Sequence, residues 1–115
     1  MTIKTLASLA LSVICLGIGP LALSPPAQAQ NAGGQQALYA ASLAATCANC
    51  HGTEGRAVPG SRVPALAGLD KTYLVAQLNA FKSGARPATV MQQIGKGFND
   101  AQIESLASYF AAQKK

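Results

Sequence analysis

The sequence predicts an all-α domain, and two observations support that prediction. No segment shows the strict alternation of apolar and polar residues that a half-buried strand requires. Three segments instead place apolar side chains or alanines at helical spacing, near residues 35–49, 70–82 and beyond Asn99. Two loops with several glycines and prolines separate them, and loops of about 15 residues in a compact domain usually indicate function or disorder.

Residues 1–29 predict a secretory signal peptide. Lys4 gives a positive start, an apolar run extends from Leu6 to Leu23, and Ala27-Gln28-Ala29 has the small-residue pattern of a cleavage site. An uncleaved membrane anchor is the alternative, because the run approaches the length of a membrane span. Two glycines and a proline interrupt the run, so we expect cleavage after Ala29. The mature domain, residues 30–115, would then be periplasmic, with no stable membrane insertion.

The charge balance of the chain is mild. Nine Lys and Arg residues against four acidic residues give a net charge of +5. Nucleic-acid-binding domains carry clustered basic residues on one face, and no such cluster is visible in this sequence. We therefore expect no nucleic-acid partner.

The first predicted helix covers residues 35–49. This stretch is rich in alanine, the strongest helix former, and Leu38, Ala41 and Ala45 fall on one side of it. Two glycines shortly after the stretch end the helix. The preceding residues 30–34 are polar and without periodicity, and they predict an irregular tail.

The second predicted helix runs from about Asp70 to Lys82. Asp70 is a suitable N-cap, and Gly84 ends the helix. The apolar positions have helical spacing: Leu74, Leu78 and Phe81. Residues 83–97 then predict a loop, with a short turn near 90–94.

The last helix has the clearest boundary. Asn99 is a good N-cap, Gln102 can complete a reciprocal capping pair, and Phe98 and Ile103 have the spacing of a hydrophobic staple. The terminal lysines suit the negative end of the helix dipole. One apolar stripe follows the cap: Ile103, Leu106, Tyr109 and Phe110.

The segment from Cys47 to His51 has the C-x-x-C-H pattern of haem attachment. On a helix, positions i, i+3 and i+4 share one face, and Cys47, Cys50 and His51 occupy these positions. Two thiols can therefore add to the two vinyl groups of one porphyrin while the imidazole reaches its iron. The pattern predicts one covalently bound haem c, with His51 as an iron ligand.

A thiol–disulfide protein or a zinc protein is the alternative for this motif. Zinc would need two further ligands, but the chain has one histidine and, once Cys15 is removed with the signal peptide, two cysteines. A thioredoxin-like redox pair would need a βαβ context, which the sequence does not show.

Met91 is the predicted second axial ligand. It is the one methionine left after cleavage, 40 residues beyond His51 in the second loop. A thioether is a soft donor, and His/Met ligation raises the potential of haem iron. A gap-filling core residue is the alternative for Met91, and Lys82 or Lys96 could bind iron in its place at high pH.

A haem-binding histidine usually donates its other ring N–H to a fixed acceptor. A proline carbonyl in the following loop is a natural candidate, and Pro64 lies 13 residues after His51. The alternative is that Pro64 only interrupts regular structure in the loop.

Two further groups have a candidate role beside an ordinary structural one. Apolar residues proposed to pack on the haem also suit a helical core: Leu66, Leu74, Leu78, Phe81 and Val90. Basic residues that could surround the haem edge and attract an acidic partner also suit a solvated surface: Arg56, Arg62, Lys71, Lys82, Arg86 and Lys96.

Residues 36–113 resemble the class I c-type cytochromes. The resemblance rests on the haem motif with Met91 behind it and on five shorter stretches: Cys47–Gly55, Pro64–Gly68, Phe81–Gly84, Thr89–Met91 and Ile94–Phe98. Among these proteins the chain is similar to the cytochrome subunit of flavocytochrome c sulfide dehydrogenase and to related dihaem periplasmic cytochromes. Many of those relatives carry two haem domains, whereas this chain has one C-x-x-C-H.

The resemblance implies the class I cytochrome c fold, with three main helices and loops around one haem. It implies that Cys47 and Cys50 bind haem, that His51 and Met91 are axial, and that the Pro64 carbonyl orients His51. It also implies that the first and last helices cross near Leu43 and Tyr109.

The expected function is one-electron transfer rather than enzymatic catalysis, because two protein ligands would close both axial positions of the iron. The expected partners are redox proteins, among them a flavoprotein subunit of a sulfide dehydrogenase. The alternative is a gas-binding or peroxidatic haem protein in which the Met91 ligand is labile.

Overall fold

The computed structural model describes residues 27–115, so the predicted signal peptide lies almost entirely outside the described residues. Within that range the chain forms helices and no strand, which confirms the all-α prediction. No helix in this part of the chain is both long and apolar enough to cross a membrane. The elements are α1 (Ala27–Ala45), α2 (Ala48–His51), a 3-10 turn (Thr53–Gly55), α3 (Lys71–Ser83), α4 (Met91–Lys96) and α5 (Asp100–Ala111).

The first helix differs from its prediction at both ends. The irregular tail predicted for residues 30–34 is wrong, because α1 already includes these residues. The helix then ends at Ala45, earlier than predicted. The Thr46 hydroxyl donates to Leu43 O (2.7 Å), and Cys47 N donates to Ala44 O (3.0 Å). Both bonds run to the carbonyl three residues earlier, as in a 3-10 helix, and they tighten the last turn. The attachment motif consequently lies in its own short helix.

The predictions for the second and last helices are confirmed. Asp70 Oδ1 accepts a hydrogen bond from the backbone N–H of Tyr73 (2.9 Å) at the start of α3, and Gly84 ends the helix at φ 83°. Asn99 and Gln102 form the predicted capping box of α5, with bonds of 2.9 and 3.0 Å. Both caps satisfy backbone N–H groups that have no partner within the helix.

The short turn predicted near residues 90–94 is a six-residue helix, α4, and it begins at Met91. α4 packs mainly against α3, whereas α3 also packs against α5 and α5 against α1. The loop predicted for residues 83–97 is therefore half helical. This packing attaches the Met91 segment to the body of the domain through α3.

The core lies where α1 and α3 meet α5. Leu43 and Tyr109 both pack against it, which agrees with the predicted crossing of the first and last helices. The Tyr109 and Phe110 rings meet edge to face, with centroids 5.3 Å apart. The cluster of buried residues is small and rich in alanine: Ala44, Leu74, Leu106, Ala107 and Phe110.

Candidate haem site

The attachment motif forms one helical turn. His51 N donates to Cys47 O (2.9 Å) and Cys50 N donates to the same carbonyl (3.3 Å), which closes the turn around Cys47. Gly52, at φ 81°, ends α2 directly after the histidine. The helical offsets place Cys47, Cys50 and His51 on one face, and the two cysteines do not form a disulfide with each other.

The two thiols have different surroundings. Cys50 is exposed, whereas Cys47 is half-buried and its Sγ lies 3.9 Å from the hydroxyl oxygen of Thr46. Burial raises the pKa of the Cys47 thiol above its ordinary value of 9.0; the hydrogen bond with Thr46 opposes this, and charge on Cys50 adds to it. At neutral pH the Cys47 thiol is therefore protonated.

The His51 ring is buried, with 8% of its surface exposed, and its Nδ1 lies 2.7 Å from Pro64 O. A carbonyl oxygen can only accept, so Nδ1 carries the hydrogen. In the neutral ring Nε2 then has a free lone pair, which is the state of a metal-binding imidazole. Together with the two thiols on the same turn, this ring fits the donor set that covalent haem requires.

The Pro64 carbonyl is held in place from the motif side. Gly55 O accepts from Leu66 N (2.8 Å) and from Ala67 N (3.1 Å), so the residues just after Pro64 are bonded to the turn just after His51. A Cβ at Gly55 would lie 2.8 Å from a ring carbon of Phe110 and 2.9 Å from Leu66 Cβ. The absence of a side chain at Gly55 therefore lets the Gly55 carbonyl approach Leu66 N and Ala67 N.

Met91 is half-buried at the first position of α4. It lies on a different packing unit from His51, because α4 packs against α3 whereas α2 packs against α1 and the 3-10 turn. Ligation of iron by Met91 remains a prediction. The packing of α4 on α3 fixes the backbone from which the Met91 side chain extends.

The candidate packing residues divide into two groups. Leu74 is 5% exposed within the helical core, which explains it without any ligand, and Leu66 and Leu78 pack against the same cluster. Phe81 is half-buried beneath the guanidinium of Arg86, 4.6 Å from its ring centroid. Val90, next to Met91, is 59% exposed.

The candidate basic residues also divide. Lys71 pairs with Glu104 (2.8 Å), Lys82 pairs with Asp100 (2.8 Å), and Arg56 pairs with Glu54, so half of the set has acidic partners. Arg86 donates to the Gln77 side chain. Ordinary surface pairing therefore explains these four residues. In the described part of the chain Arg62 and Lys96 form no ion pair, so these two remain available to a partner.

Sequence reasoning missed two glycines that shape the site. Gly55 and Gly95 each allow a close backbone approach, which the sequence pattern does not predict. Gly55 lies four residues after His51, and Gly95 lies four residues after Met91. This spacing is the one feature of the sequence that connects the two glycines with the candidate ligands. Spacing alone does not show which distant atoms a glycine meets.

The matched family model, described as Cytochrome c, covers residues 34–114. The all-α architecture described above fits the class I c-type cytochrome fold. This chain belongs to the cytochrome c family.

Several individual proteins are similar to the chain. A thiosulfate dehydrogenase electron acceptor of Thiomonas intermedia is 42% identical over 62% of this chain and 33% of its own length. The cytochrome subunit of sulfide dehydrogenase of Chlorobaculum tepidum is 37% identical over 64% of each chain. A solved cytochrome c4 structure of Acidithiobacillus ferrooxidans matches with a TM-score of 0.54 and 36% identity, covering 57% of this chain and 37% of that one. The chain thus spans from one third to somewhat under two thirds of the length of these relatives.

Proposed function

We propose that this chain is a periplasmic one-electron carrier with a single haem c bound through Cys47 and Cys50. His51 and Met91 are the axial ligands. The observation that carries the proposal is the bond between His51 Nδ1 and Pro64 O at 2.7 Å, because it fixes a buried imidazole with Nε2 available for iron. The haem would supply the Fe(III)/Fe(II) couple. The protein would hold the haem, orient its ligands and exclude water from the His51 ring.

Each residue of the site has a distinct task in this proposal. Cys47 and Cys50 hold the group covalently, so it cannot dissociate in either oxidation state. His51 is held in one tautomer and one orientation by Pro64, and its small exposure excludes water from the ring. Met91 provides a second, uncharged ligand, and two closed axial positions favour electron transfer over binding of small molecules.

The sequence supports the proposal of a single haem. The chain contains one C-x-x-C-H and one histidine in all its 115 residues, so it offers one attachment site with one imidazole ligand. Relatives of about twice this length have room for a second domain. This chain would therefore pass electrons singly.

The proposed electron donor is a dehydrogenase that oxidises a sulfur compound. Two of the relatives are named for such enzymes, one acting on thiosulfate and one on sulfide. A flavoprotein sulfide dehydrogenase subunit is the specific partner that we propose, because the flavin could divide a two-electron oxidation into single transfers. Exposed Arg62 and Lys96 would favour an acidic docking surface on this partner.

Three measurements on the exported protein test the proposal. Its mass should exceed that of residues 30–115 by one haem, its reduced spectrum should show low-spin c-type bands, and carbon monoxide should bind poorly at neutral pH. Prompt carbon monoxide binding would instead support the gas-binding or peroxidatic alternative. A colourless protein of unmodified mass would contradict both haem functions.

The donor is tested separately by stopped-flow reduction. Purified flavoprotein sulfide dehydrogenase with sulfide should reduce the chain, and the rate should fall as salt screens the charges. If thiosulfate dehydrogenase reduces the chain and the flavoprotein does not, the flavoprotein is not the donor and the thiosulfate enzyme takes its place. Reduction by neither enzyme would refute the donor proposal but leave the haem site intact.

A further inference from the structure

The acceptor of the His51 hydrogen bond lies in a segment without regular structure. Between the 3-10 turn and α3, residues 56–70 form bends and turns with no helix or strand. No repeating backbone ladder holds the Pro64 carbonyl there, although it lies 2.7 Å from the His51 ring. Other contacts must therefore fix its position, and the structure shows which contacts do so.

One anchor of this segment is at its downstream end. Gly55 O binds Leu66 N and Ala67 N, and Gly68 N donates to Phe110 O at 2.9 Å near the end of α5. These bonds fix the segment after Pro64 against both the attachment turn and the last helix. The position of Pro64 is then set by where the turn containing Gly55 lies.

The turn itself has an unusual backbone. Glu54 has φ 55°, and it is the one non-glycine residue with positive φ among residues 27–115. Residues other than glycine rarely adopt this backbone conformation, so other contacts must hold the turn in it. The Glu54 carboxylate pairs with the guanidinium of Arg56 two residues later.

Arg56 connects this turn to the end of the chain. Its Nε donates to Lys114 O at 3.0 Å, across 58 residues of sequence, while another nitrogen of the same guanidinium binds Glu54. A planar guanidinium can make both bonds at once with fixed geometry, which a lysine ammonium cannot reproduce. The Arg56 and Glu54 side chains are 44% and 45% exposed, so their ion pair adds little to stability.

We propose that Arg56 is a positioning residue for the iron ligand His51, which no comparison with related proteins assigns. It fixes the turn of residues 52–56 to the Lys114 carbonyl and to Glu54, and thereby holds Pro64 O on His51 Nδ1. The inference rests on the proposed haem ligation by His51. Through the strength of this hydrogen bond, Arg56 tunes the electron donation of the imidazole and with it the reduction potential.

The direction of the effect separates positioning from charge. A weaker bond at Nδ1 makes His51 a poorer donor, which disfavours Fe(III) and raises the potential. Loss of a nearby positive charge has the opposite effect, because it disfavours the more electron-rich Fe(II) state. The charge-conserving substitution Arg56→Lys therefore isolates the positioning effect.

The test compares Arg56→Lys with Arg62→Lys in the haem-loaded protein. Arg62 is an exposed residue of the same segment that forms no ion pair within the described residues. In the reduced, diamagnetic protein, Arg56→Lys should make solvent exchange of the His51 Nδ1–H roughly three- to tenfold faster, the scale of one lost hydrogen bond. Its potential should rise, and Arg62→Lys should match the wild type in both measurements.

A pair of truncations tests the other end of the contact. Removing residues 114 and 115 deletes the Lys114 carbonyl and should speed exchange of the His51 Nδ1–H as Arg56→Lys does. Removing Lys115 alone keeps an acceptor at Lys114 and should leave this exchange rate unchanged. Exchange is the readout for this pair, because the truncations also remove lysine charges that shift the potential. These variants decide the question even if Arg56→Lys fails to fold.

The proposal is overturned if Arg56→Lys behaves as the wild type, if Arg62→Lys shifts both measurements equally, or if the two truncations are indistinguishable. Failure of the haem assignment would look different. The wild-type protein itself would then lack the haem mass increment, before any variant is compared.

Discussion

Gly95 of α4 lies against the backbone of Lys82 in α3. A Cβ at Gly95 would be 3.0 Å from Lys82 N, 3.3 Å from Lys82 Cα and 3.4 Å from Leu78 O. The two helices therefore approach each other more closely than a side chain would permit. Because α4 begins at Met91, this approach determines where the proposed axial thioether lies.

Substitution Gly95→Ala should displace α4 and weaken the Met91 ligand. The nearest atoms are backbone and cannot rotate away, so we expect overpacking to cost about 1–3 kcal/mol of unfolding free energy. The weak long-wavelength Met–iron band should lose intensity in the oxidised spectrum. Gly34→Ala is the matched control, since a Cβ there meets nothing within 4 Å. An unchanged Met–iron band in Gly95→Ala would show that α4 packing does not position Met91.

Substitution Met91→Ala should leave the haem attached but remove its second ligand. We expect loss of the Met–iron band, faster carbon monoxide binding, and a potential lowered by on the order of 0.1 V within the roughly 0.8 V that axial ligands span. Gln93→Ala, at an exposed position of the same helix, serves as the control. If Met91→Ala retains the band and the potential, another residue binds the iron.

Substitution Asn99→Ala should destabilise the domain without altering the haem. It removes the side-chain acceptor for Gln102 N and breaks the capping box of α5, a loss of about 1 kcal/mol. For a domain of 60–100 residues this corresponds to a Tm lower by about 4–8 °C. Asn79→Ala, at an exposed position within α3, should leave Tm unchanged or raise it, because alanine is the better helix former. A change in potential for Asn99→Ala would mean that α5 and the haem site are coupled.

The helix boundaries that local chemistry sets could be predicted from the sequence. Asp70, Gly84 and Asn99 each act through a hydrogen bond or a backbone conformation that involves only nearby residues. The start of α1 could not be predicted in this way. Residues 27–34 contain no apolar stripe, so the periodicity on which the prediction relied was absent, and the alanine and glutamine content alone favoured the helix.

At the site, the motif could be recognised from the sequence because covalent haem attachment requires this spacing. The acceptor for His51 could be named from the sequence, since Pro64 is one of few candidates in the loop. The link from Arg56 to Lys114 could not, because the two residues are 58 positions apart and no local pattern relates them. Contacts between distant loops depend on the assembled fold, and they set the geometry of the ligand.

Substitution Pro64→Ala should show whether the backbone carbonyl or the pyrrolidine ring of this residue matters for the haem site. The Pro64 side chain is exposed and its backbone oxygen remains after the change, so the His51 bond and the potential should be preserved. Stability should fall by about 0.4–1 kcal/mol, because the unfolded chain gains freedom. Chemical denaturation and potentiometry on the same sample measure both quantities. A potential shift as large as that of Arg56→Lys would contradict the role given to the carbonyl.

Substitution Cys50→Ala should reduce haem attachment and destabilise the fold. Among the described residues, three of the seven buried apolar side chains are alanines, so the protein core is small and the haem is expected to complete it. Because Cys50 is exposed, its replacement leaves no cavity, and any loss reflects the missing covalent bond. We expect a lower yield of haem-containing protein and, at about 4–8 °C per kcal/mol, a clear fall in Tm. Cys15→Ala is the matched control, since the predicted cleavage would remove this residue and leave an identical mature protein. A Cys50→Ala chain that folds without haem as stably as the wild type would show that the helices alone suffice for the core.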